Sequence, residues 1–311
     1  MQKINILSLL LITICLAGCV KNTDTFTEYV PIDNFFENPT DIPVAVSFDA
    51  SQSFSYLSPD NVLIEVPAGA LIDDQGEAVS GSVELHLAFL QGIGDLIQYN
   101  FNTEGLYGLL DAHAVIHLSF EQDGKSLNRS SDAPITVYLP YDTPQSKAVQ
   151  HTLSDGGWLP SVSTTTNAVE VTEYNILPEG QQLDIKGYKL TPTTLGWINV
   201  AIPLEANDGV YTICAELPQN HNNVNSVVYG SLDRYTSLLT FKYDKEKILF
   251  CGEIVNINSD QEIRLIAISA QGAIEEYNFG TKSAILDSSS KEIVTLSPKS
   301  RQEIFEYLES M

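Results

Sequence analysis

Apolar and polar positions alternate through most of the chain after about residue 43. Val83, Leu85, Leu87 and Phe89 take every second position of one run, and residues 114–120 repeat the pattern. Side chains at every second position share one face of a strand, so these runs predict half-buried β-strands. Turn signals of Gly, Asp, Pro and Ser separate the runs, as is typical of β-sandwiches. The predicted fold class is all-β.

Two blocks of predicted strands divide the chain. We assign residues 43–175 to a first β-sandwich domain and residues 183–311 to a second β-rich domain. A Ser/Thr-rich stretch over residues 161–167 and the Leu-Pro-Glu-Gly break over residues 177–180 favour a boundary between them. Strand candidates in the second block are residues 184–190, 210–217, 224–229, 237–243, 254–257, 262–269 and 274–279.

One short helix is predicted at the C-terminal end of the second block, over residues 298–310. Ser297 is a suitable N-cap, and the proline that follows it suits a first helical turn. Ile304, Phe305 and Leu308 form one apolar stripe at helical spacing. We expect this stripe to pack on the second domain; the alternative is a helical tail that binds a partner.

The first 18 residues have the layout of a secretory signal. A short basic start precedes an apolar run over residues 4–16, which is shorter than the ~20 residues of a transmembrane helix. Residues 16–19 read Leu-Ala-Gly-Cys, which resembles a bacterial lipobox. The resemblance implies cleavage after residue 18 and acylation of Cys19, and several acyl chains give stable anchoring. An uncleaved hydrophobic helix and a plain signal peptide are the alternatives.

The residues that follow the lipobox bear on location. We interpret residues 19–42, which are polar with little periodicity, as a lipidated tether. Val20 is not an aspartate, so the usual inner-membrane retention signal is missing, and we expect lipid anchoring at the outer membrane. The signal for export to the cell surface resembles a dense run of acids after the cysteine. Only Asp24 supplies one over residues 20–24, so the periplasmic and cell-surface faces both stay open.

The charge balance narrows the choice of partners. The chain has 40 Asp plus Glu against 16 Lys plus Arg, a formal net charge of −24. Nucleic-acid binding needs a basic footprint, so we expect no nucleic-acid partner. The same charge argues against electrostatic docking on anionic lipid. The expected partners are the membrane, through the lipid anchor, and an envelope protein or a glycan.

Two sequence elements resemble one protein family. Residues 62–71 read VLIEVPAGAL and lead to Gly-Ser-Val-Glu-Leu at residues 81–85, and residues 195–199 read Leu-Gly-Trp-Ile-Asn. These elements resemble Bacteroidota envelope lipoproteins that carry a ZU-like β-sandwich module followed by a "GWIN" module. The resemblance implies β-sandwich architecture and no assigned activity. The acid that usually follows the GWIN element is replaced by Ala201.

Two cysteines remain once the signal and the lipidated residue are set aside. Cys214 and Cys251 both lie on strand candidates of the second block. An even pair in an oxidising compartment is consistent with a disulfide, which would close a loop of about 37 residues. The alternative is two separate buried thiols that pack as small hydrophobic side chains.

Three histidines are the candidate metal ligands. The alternation places His113 and His117 on one strand face with Asp111, and His86 on the non-core face of another strand. Imidazole and carboxylate groups are zinc ligands, but four strand residues span roughly 13 Å, too far for one ion on a straight strand. We expect polar residues on a solvated sheet face, and no metal or cofactor.

No strong catalytic spacing occurs in the sequence. The chain lacks a G-x-S-x-G elbow, a phosphate loop, an HExxH motif and a dinucleotide fingerprint. The predicted function is therefore a non-enzymatic, lipid-anchored envelope protein with a structural or recognition role. The alternatives are an envelope hydrolase acting on glycan or peptide, and a subunit of a larger surface assembly.

Overall fold

The computed structural model describes residues 30–154, 157–160, 169–176, 183–204, 209–255, 257, 261–270, 276–286 and 289–311. Strands dominate these residues, so the all-β prediction is confirmed. The helical elements of the described residues are a 3-10 turn η1 (Ile32–Phe35), helix α1 (Ile93–Gln98) and helix α2 (Arg301–Glu309). None of these helices is long and apolar enough to span a membrane. The predicted signal and Cys19 lie outside the described residues.

The first sandwich is built from strands between residues 44 and 203. Its strands are β1 (Val44–Asp49), β2 (Phe54–Leu57), β3 (Leu63–Val66), β4 (Leu71–Ile72), β5 (Ser82–Leu90), β6 (Glu104–Gly105), β7 (Gly108–Gln122), β8 (Lys125–Ser126), β9 (Asn128–Arg129), β10 (Thr136–Pro140), β11 (Val149–Ser154), β12 (Gly157–Pro160), β13 (Glu170–Ile176), β14 (Leu183–Leu190) and β15 (Gly196–Pro203).

Two sheets of this sandwich face each other across a hydrophobic core. The larger sheet has the order β1-β5-β7-β15-β11-β12-β6, and the smaller has the order β13-β14-β10-β3-β2. β6 also pairs with β7, so one end of the larger sheet closes on itself. The core between the sheets includes the alternating residues that the pattern placed inward: Val83, Leu85, Ile116, Leu118, Phe120, Val137 and Leu139.

The second sandwich follows from residue 210 onward. Its strands are β16 (Val210–Glu216), β17 (Ser226–Leu232), β18 (Leu238–Thr240), β19 (Lys242–Asp244), β20 (Leu249–Val255), β21 (Glu262–Ala270), β22 (Glu276–Ile285), β23 (Ser289–Ile293) and β24 (Ser297–Ser300). One sheet has the order β19-β20-β16-β23 and the other the order β18-β17-β21-β22-β24. Their shared core includes Ile213, Phe250, Ile254, Ile263 and Leu265.

The predicted boundary between residues 175 and 183 is wrong. β14 pairs with β10 and β13, and β15 pairs with β7 and β11, so both strands complete the first sandwich. Alternation identifies a strand and its buried face, but not the strand that it pairs with. The chain passes from the first sandwich to the second after Pro203 and before Val210.

A second apolar cluster covers the other face of the larger first-sandwich sheet, where the second sandwich meets it. We call this cluster the interdomain core; its members include Phe35, Leu96, Phe101, Val115, Trp158, Tyr229, Ile266, Tyr277, Ile304 and Leu308. The C-terminal helix supplies the last two of these residues, which confirms the predicted helix and its apolar stripe. The stripe packs between the two sandwiches, however, and not on the second domain alone as predicted. Both faces of the larger sheet are therefore buried in its central part.

The two helices differ from the prediction in detail. α2 begins at Arg301, and its N-cap is Ser300, whose hydroxyl accepts from the backbone N–H of Glu303 while that carboxylate accepts from the backbone N–H of Ser300. Ser297 lies on β24 instead. α1 is a helix that the pattern did not predict, because six residues are too few to display a helical period.

Residues 30–42, which we call the docked segment, pack against both sandwiches, so the tether interpretation is wrong for them. The backbone N–H of Ile32 donates to the carbonyl of Val224 at 3.1 Å, in the second sandwich. The backbone N–H of Glu37 donates to the carbonyl of Gln98 at 2.7 Å, at the end of α1. The few apolar residues of this segment lack periodicity because each one packs at a separate position on the surface of the two sandwiches.

Candidate functional site

His113 does not share a strand face with His117, contrary to the prediction. Along β7 the pairing with β15 skips one residue between Ala112 and Ala114, which is a β-bulge at His113. The bulge turns this side chain toward Tyr188, on the side of the first-sandwich core, and His113 is fully buried. The expected solvated face is therefore wrong for this residue. Nothing in the alternation signals a bulge.

His113 lies in a chain of buried and partly buried hydrogen bonds. The Tyr188 hydroxyl donates to its Nδ1 at 2.6 Å, and its Nε2–H donates to Asp111 Oδ2 at 3.2 Å. The backbone N–H groups of Gln145 and Thr236 donate to the tyrosine and to the aspartate. Burial raises the pKa of Tyr188 to about 12, which keeps the phenol protonated as a donor. The chain links β7, β14 and the second sandwich, and every ring nitrogen has a partner.

His86 and His117 lie on the opposite face of the same sheet, under the docked segment. His86 Nδ1 is 2.7 Å from the carbonyl oxygen of Ile42, and its Nε2 is 3.9 Å from a Glu121 oxygen. His117 packs edge-on against the Trp197 ring. Burial, together with nearby His86, lowers the pKa of His117 to about 4. Both histidines are partly buried, so the solvated-face prediction is wrong for them too.

The three histidines therefore do not converge on one point. Within the described part of the chain, no group of three or more His, Cys, Asp or Glu side chains is arranged to hold a metal ion. The "GWIN" element lies on β15, where the Trp197 indole N–H donates to the carbonyl of Pro39 at 3.0 Å. That tryptophan thus fastens the docked segment to the larger sheet.

An open site also lies where β6 and β7 of the first sandwich meet the second sandwich. It is a groove of about 630 Å³, which we call the interdomain groove. One wall is β6, the turn after it and the start of β7, and the other is formed by β16, β18, β19 and β20. The lining residues are Glu104, Gly105, Leu106, Tyr107, Gly108, Leu109, Thr212, Leu239, Thr240, Lys242, Cys251, Gly252, Glu253 and Val255.

The turn between β6 and β7 presents apolar side chains beside the groove. Leu106 is 58 % exposed and Tyr107 is 76 % exposed. Gly105 holds the turn close to the sheet, since a Cβ there would lie 3.0 Å from the Leu110 side chain. Gly108 closes the turn with a φ of +137°, a conformation that favours glycine. Exposed large apolar residues of this kind mark interaction sites when they rim a groove.

The groove also carries charges of both signs. Glu104 is partly buried, and burial raises the pKa of its carboxyl, while the ammonium of Lys242 acts in the opposite direction. Lys242 and Glu253 line the other wall. The arrangement offers an apolar contact, hydrogen-bond acceptors and one cation in a single cleft, which suits a partner that has both apolar and polar groups.

The structure joins Cys214 and Cys251 in a disulfide. The two residues are directly opposite each other on neighbouring antiparallel strands β16 and β20, with Cα atoms 4.1 Å apart. Both side chains are partly exposed, and Cys251 lines the interdomain groove. The groove itself was not predicted, because its two walls come from residues 104–109 and from strands more than 100 positions later.

No protein-family model matches this chain, and no curated protein matches it either.

Proposed function

We propose that this protein is a non-enzymatic recognition protein, lipid-anchored in the cell envelope, that binds a protein partner through the interdomain groove. The exposed Leu106–Tyr107 turn beside that groove carries the proposal. Tyrosine and apolar side chains at the edge of a cleft supply the anchor contacts of protein interfaces. A glycan is the less favoured partner, because sugar sites rely on several stacking aromatics, and among the described residues of this lining Tyr107 is the one aromatic side chain.

The anchoring part of the proposal rests on the lipobox-like residues 16–19 and on the resemblance to Bacteroidota lipoproteins. The membrane is the outer membrane in this proposal. Expressed in a Gram-negative host, the full chain should label with palmitate and enter the detergent phase, and Cys19→Ala should do neither. Equal labelling of the two proteins would remove the anchoring proposal and leave the groove proposal standing.

The binding part is tested by site-specific cross-linking. A photoreactive amino acid at Leu106 in the full chain should form one covalent adduct with a protein that mass spectrometry identifies. The matched control places the same group at Ile285, which is 67 % exposed and outside the groove. The purified partner should then bind wild type at least tenfold more tightly than Leu106→Ser. Equal adducts at both positions, or equal affinity, would contradict the proposal.

The hydrolase alternative makes a different demand on the same groove. It requires that Glu104, whose carboxyl has a raised pKa, act as an acid beside Glu253. We expect a panel of glycoside and peptide substrates to show no turnover above buffer. Turnover that disappears in Glu104→Gln and persists in the matched surface variant Glu309→Gln would contradict the recognition proposal and favour the hydrolase alternative.

A further inference from the structure

We infer that the Cys214–Cys251 disulfide is a thiol–disulfide exchange site, which reacts with a protein dithiol through attack on Cys251 Sγ. This inference goes beyond partner recognition, since it assigns covalent chemistry to one wall of the groove. It rests on three observations: the side of the sheet on which the disulfide lies, the access that the groove gives to one sulfur, and the charges at neighbouring register positions.

The disulfide lies on the outer face of its sheet. Ile213 and Ala215, on either side of Cys214, are buried in the second-sandwich core, and so is Phe250 beside Cys251. Because side chains alternate along a strand, both cysteines point away from that core. A disulfide inside a core is protected by packing, whereas this one is partly exposed and can be approached.

The two sulfurs are not equivalent. Cys251 belongs to the groove lining, whereas Cys214, on the neighbouring central strand, does not. A thiolate that enters the groove therefore meets Cys251 first. Thiol–disulfide exchange depends on which sulfur is attacked and on access to it. Cys214 is accordingly the leaving group.

A lysine stands next to each cysteine on the same face. The register pairs Lys242 of β19 with Cys251, and Lys291 of β23 with Cys214. Cations beside a cysteine stabilise its thiolate, and a stabilised thiolate leaves faster. Lys291 also forms a 2.7 Å ion pair with Glu216, which holds it on this face and offsets part of its charge. The leaving sulfur therefore has an ammonium group at the neighbouring strand position.

The exchange balances without any further reactant. A thiolate of the partner dithiol attacks Cys251 Sγ, the protein S–S bond breaks, and Cys214 leaves as a thiolate. The second thiolate of the dithiol then attacks the partner's sulfur in the mixed disulfide, and Cys251 leaves as a thiolate. Two electrons pass to the protein, the dithiol becomes a disulfide, and its two protons end on the two protein thiols.

The test uses the full chain without denaturant and dithiothreitol as the probe. We expect complete reduction of the Cys214–Cys251 bond, counted by alkylation and mass spectrometry. Lys291→Gln should slow reduction by about threefold or more. Lys299→Gln, which removes an exposed lysine on the other sheet, should leave the rate unchanged. Reduction that requires denaturant, or equal rates for the two lysine variants and wild type, would overturn the inference.

A second measurement identifies the attacked sulfur without relying on the lysines. Cys15 and Cys19 are replaced by serine in both proteins. In Cys214→Ser the remaining thiol is then Cys251, and in Cys251→Ser it is Cys214. The first variant should react with a chromogenic aromatic disulfide at least tenfold faster than the second. Circular dichroism confirms that each variant is folded before the rates are compared. Equal rates for two folded variants would show that the groove gives no selective access.

Discussion

Two parts of the contact between the sandwiches are built differently. On one side the interdomain core is sealed: the ring of Phe35 lies 5.0 Å from Tyr277 and 5.1 Å from Phe305, and Phe35 is 0 % exposed. On the other side the interdomain groove is open, and the Leu106–Tyr107 turn stands in solvent. The comparison separates a contact that fixes the two sandwiches from one that leaves space between them for a partner.

Side-chain chemistry explains the difference. The sealed side has one principal cation, Arg301, whose guanidinium donates to the carbonyl of Phe35 at 2.9 Å and to Glu37 at 2.7 Å. Both of these bonds are made to the docked segment. The open side carries Glu104, Lys242 and Glu253, whose burial without full pairing would be costly, which favours an open cleft over a sealed contact.

Phe35→Ala is the substitution that should damage the sealed side most. Removing a fully buried aromatic ring leaves a cavity between the docked segment and α2. We expect the free energy of unfolding to fall by about 3–5 kcal/mol. Urea unfolding followed by circular dichroism measures the change. A loss below about 1 kcal/mol would mean that the docked segment contributes little to stability.

Loss of the disulfide tests how much the open side contributes to the free energy of unfolding. The bond joins residues 37 positions apart, and Cys214→Ala with Cys251→Ala should lower the free energy of unfolding by roughly 3–4 kcal/mol. The mature wild-type protein, purified without reductant, should show no free thiol after denaturation. Two thiols per chain in that assay would contradict the bond itself.

His117 makes the sealed side sensitive to acid. Its pKa is lowered to about 4 by burial and by His86. Between this pKa and the unfolded pKa, the unfolded chain binds a proton at His117 and the folded chain does not. The contribution of this residue to stability is present above its unfolded pKa of about 6.5 and is lost as the pH falls toward 4. Partial exposure reduces the expected loss to roughly 1–3 kcal/mol. His117→Gln should weaken this pH dependence, and an unchanged slope would contradict the assignment.

Leu106→Ser should have the smallest effect on folding and a large effect on binding. The side chain is 58 % exposed, so the free energy of unfolding should change by no more than about 0.5 kcal/mol. Partner affinity should still fall at least tenfold. Equilibrium unfolding and binding isotherms of the same preparation give both quantities. A large loss of stability would show that the Leu106 side chain contributes to folding, as the residues of the interdomain core do.

The sequence was sufficient for local structure. Strict alternation over residues 83–89 and 114–120 predicted β5 and β7, and the stripe with Ile304 predicted the C-terminal helix and its buried face. These predictions succeeded because a strand or helix with one buried face must repeat apolar residues at its own period. α1 was missed because it is too short to show a period.

The candidate site was less accessible to sequence reasoning. The histidine predictions failed because the bulge at His113 changed its face, and because a second layer covers His86 and His117. Alternation shows that one face of a strand is apolar, but not that the polar-looking face is also covered. The docked segment was interpreted as a tether for the same reason. Which of its residues are buried depends on the surface against which the segment packs, and its own sequence shows no period.

What the chain alone determined is the set of strands, the C-terminal helix, the acidic charge and the presence of two cysteines in the second block. Tertiary structure decided which strands pair, that β14 and β15 belong to the first sandwich, and that Cys214 and Cys251 are opposite each other. It also decided that residues 104–109 face β20 across a groove. Periodicity records each element's environment locally, whereas pairing and grooves depend on contacts between residues far apart in sequence, which leave no local pattern.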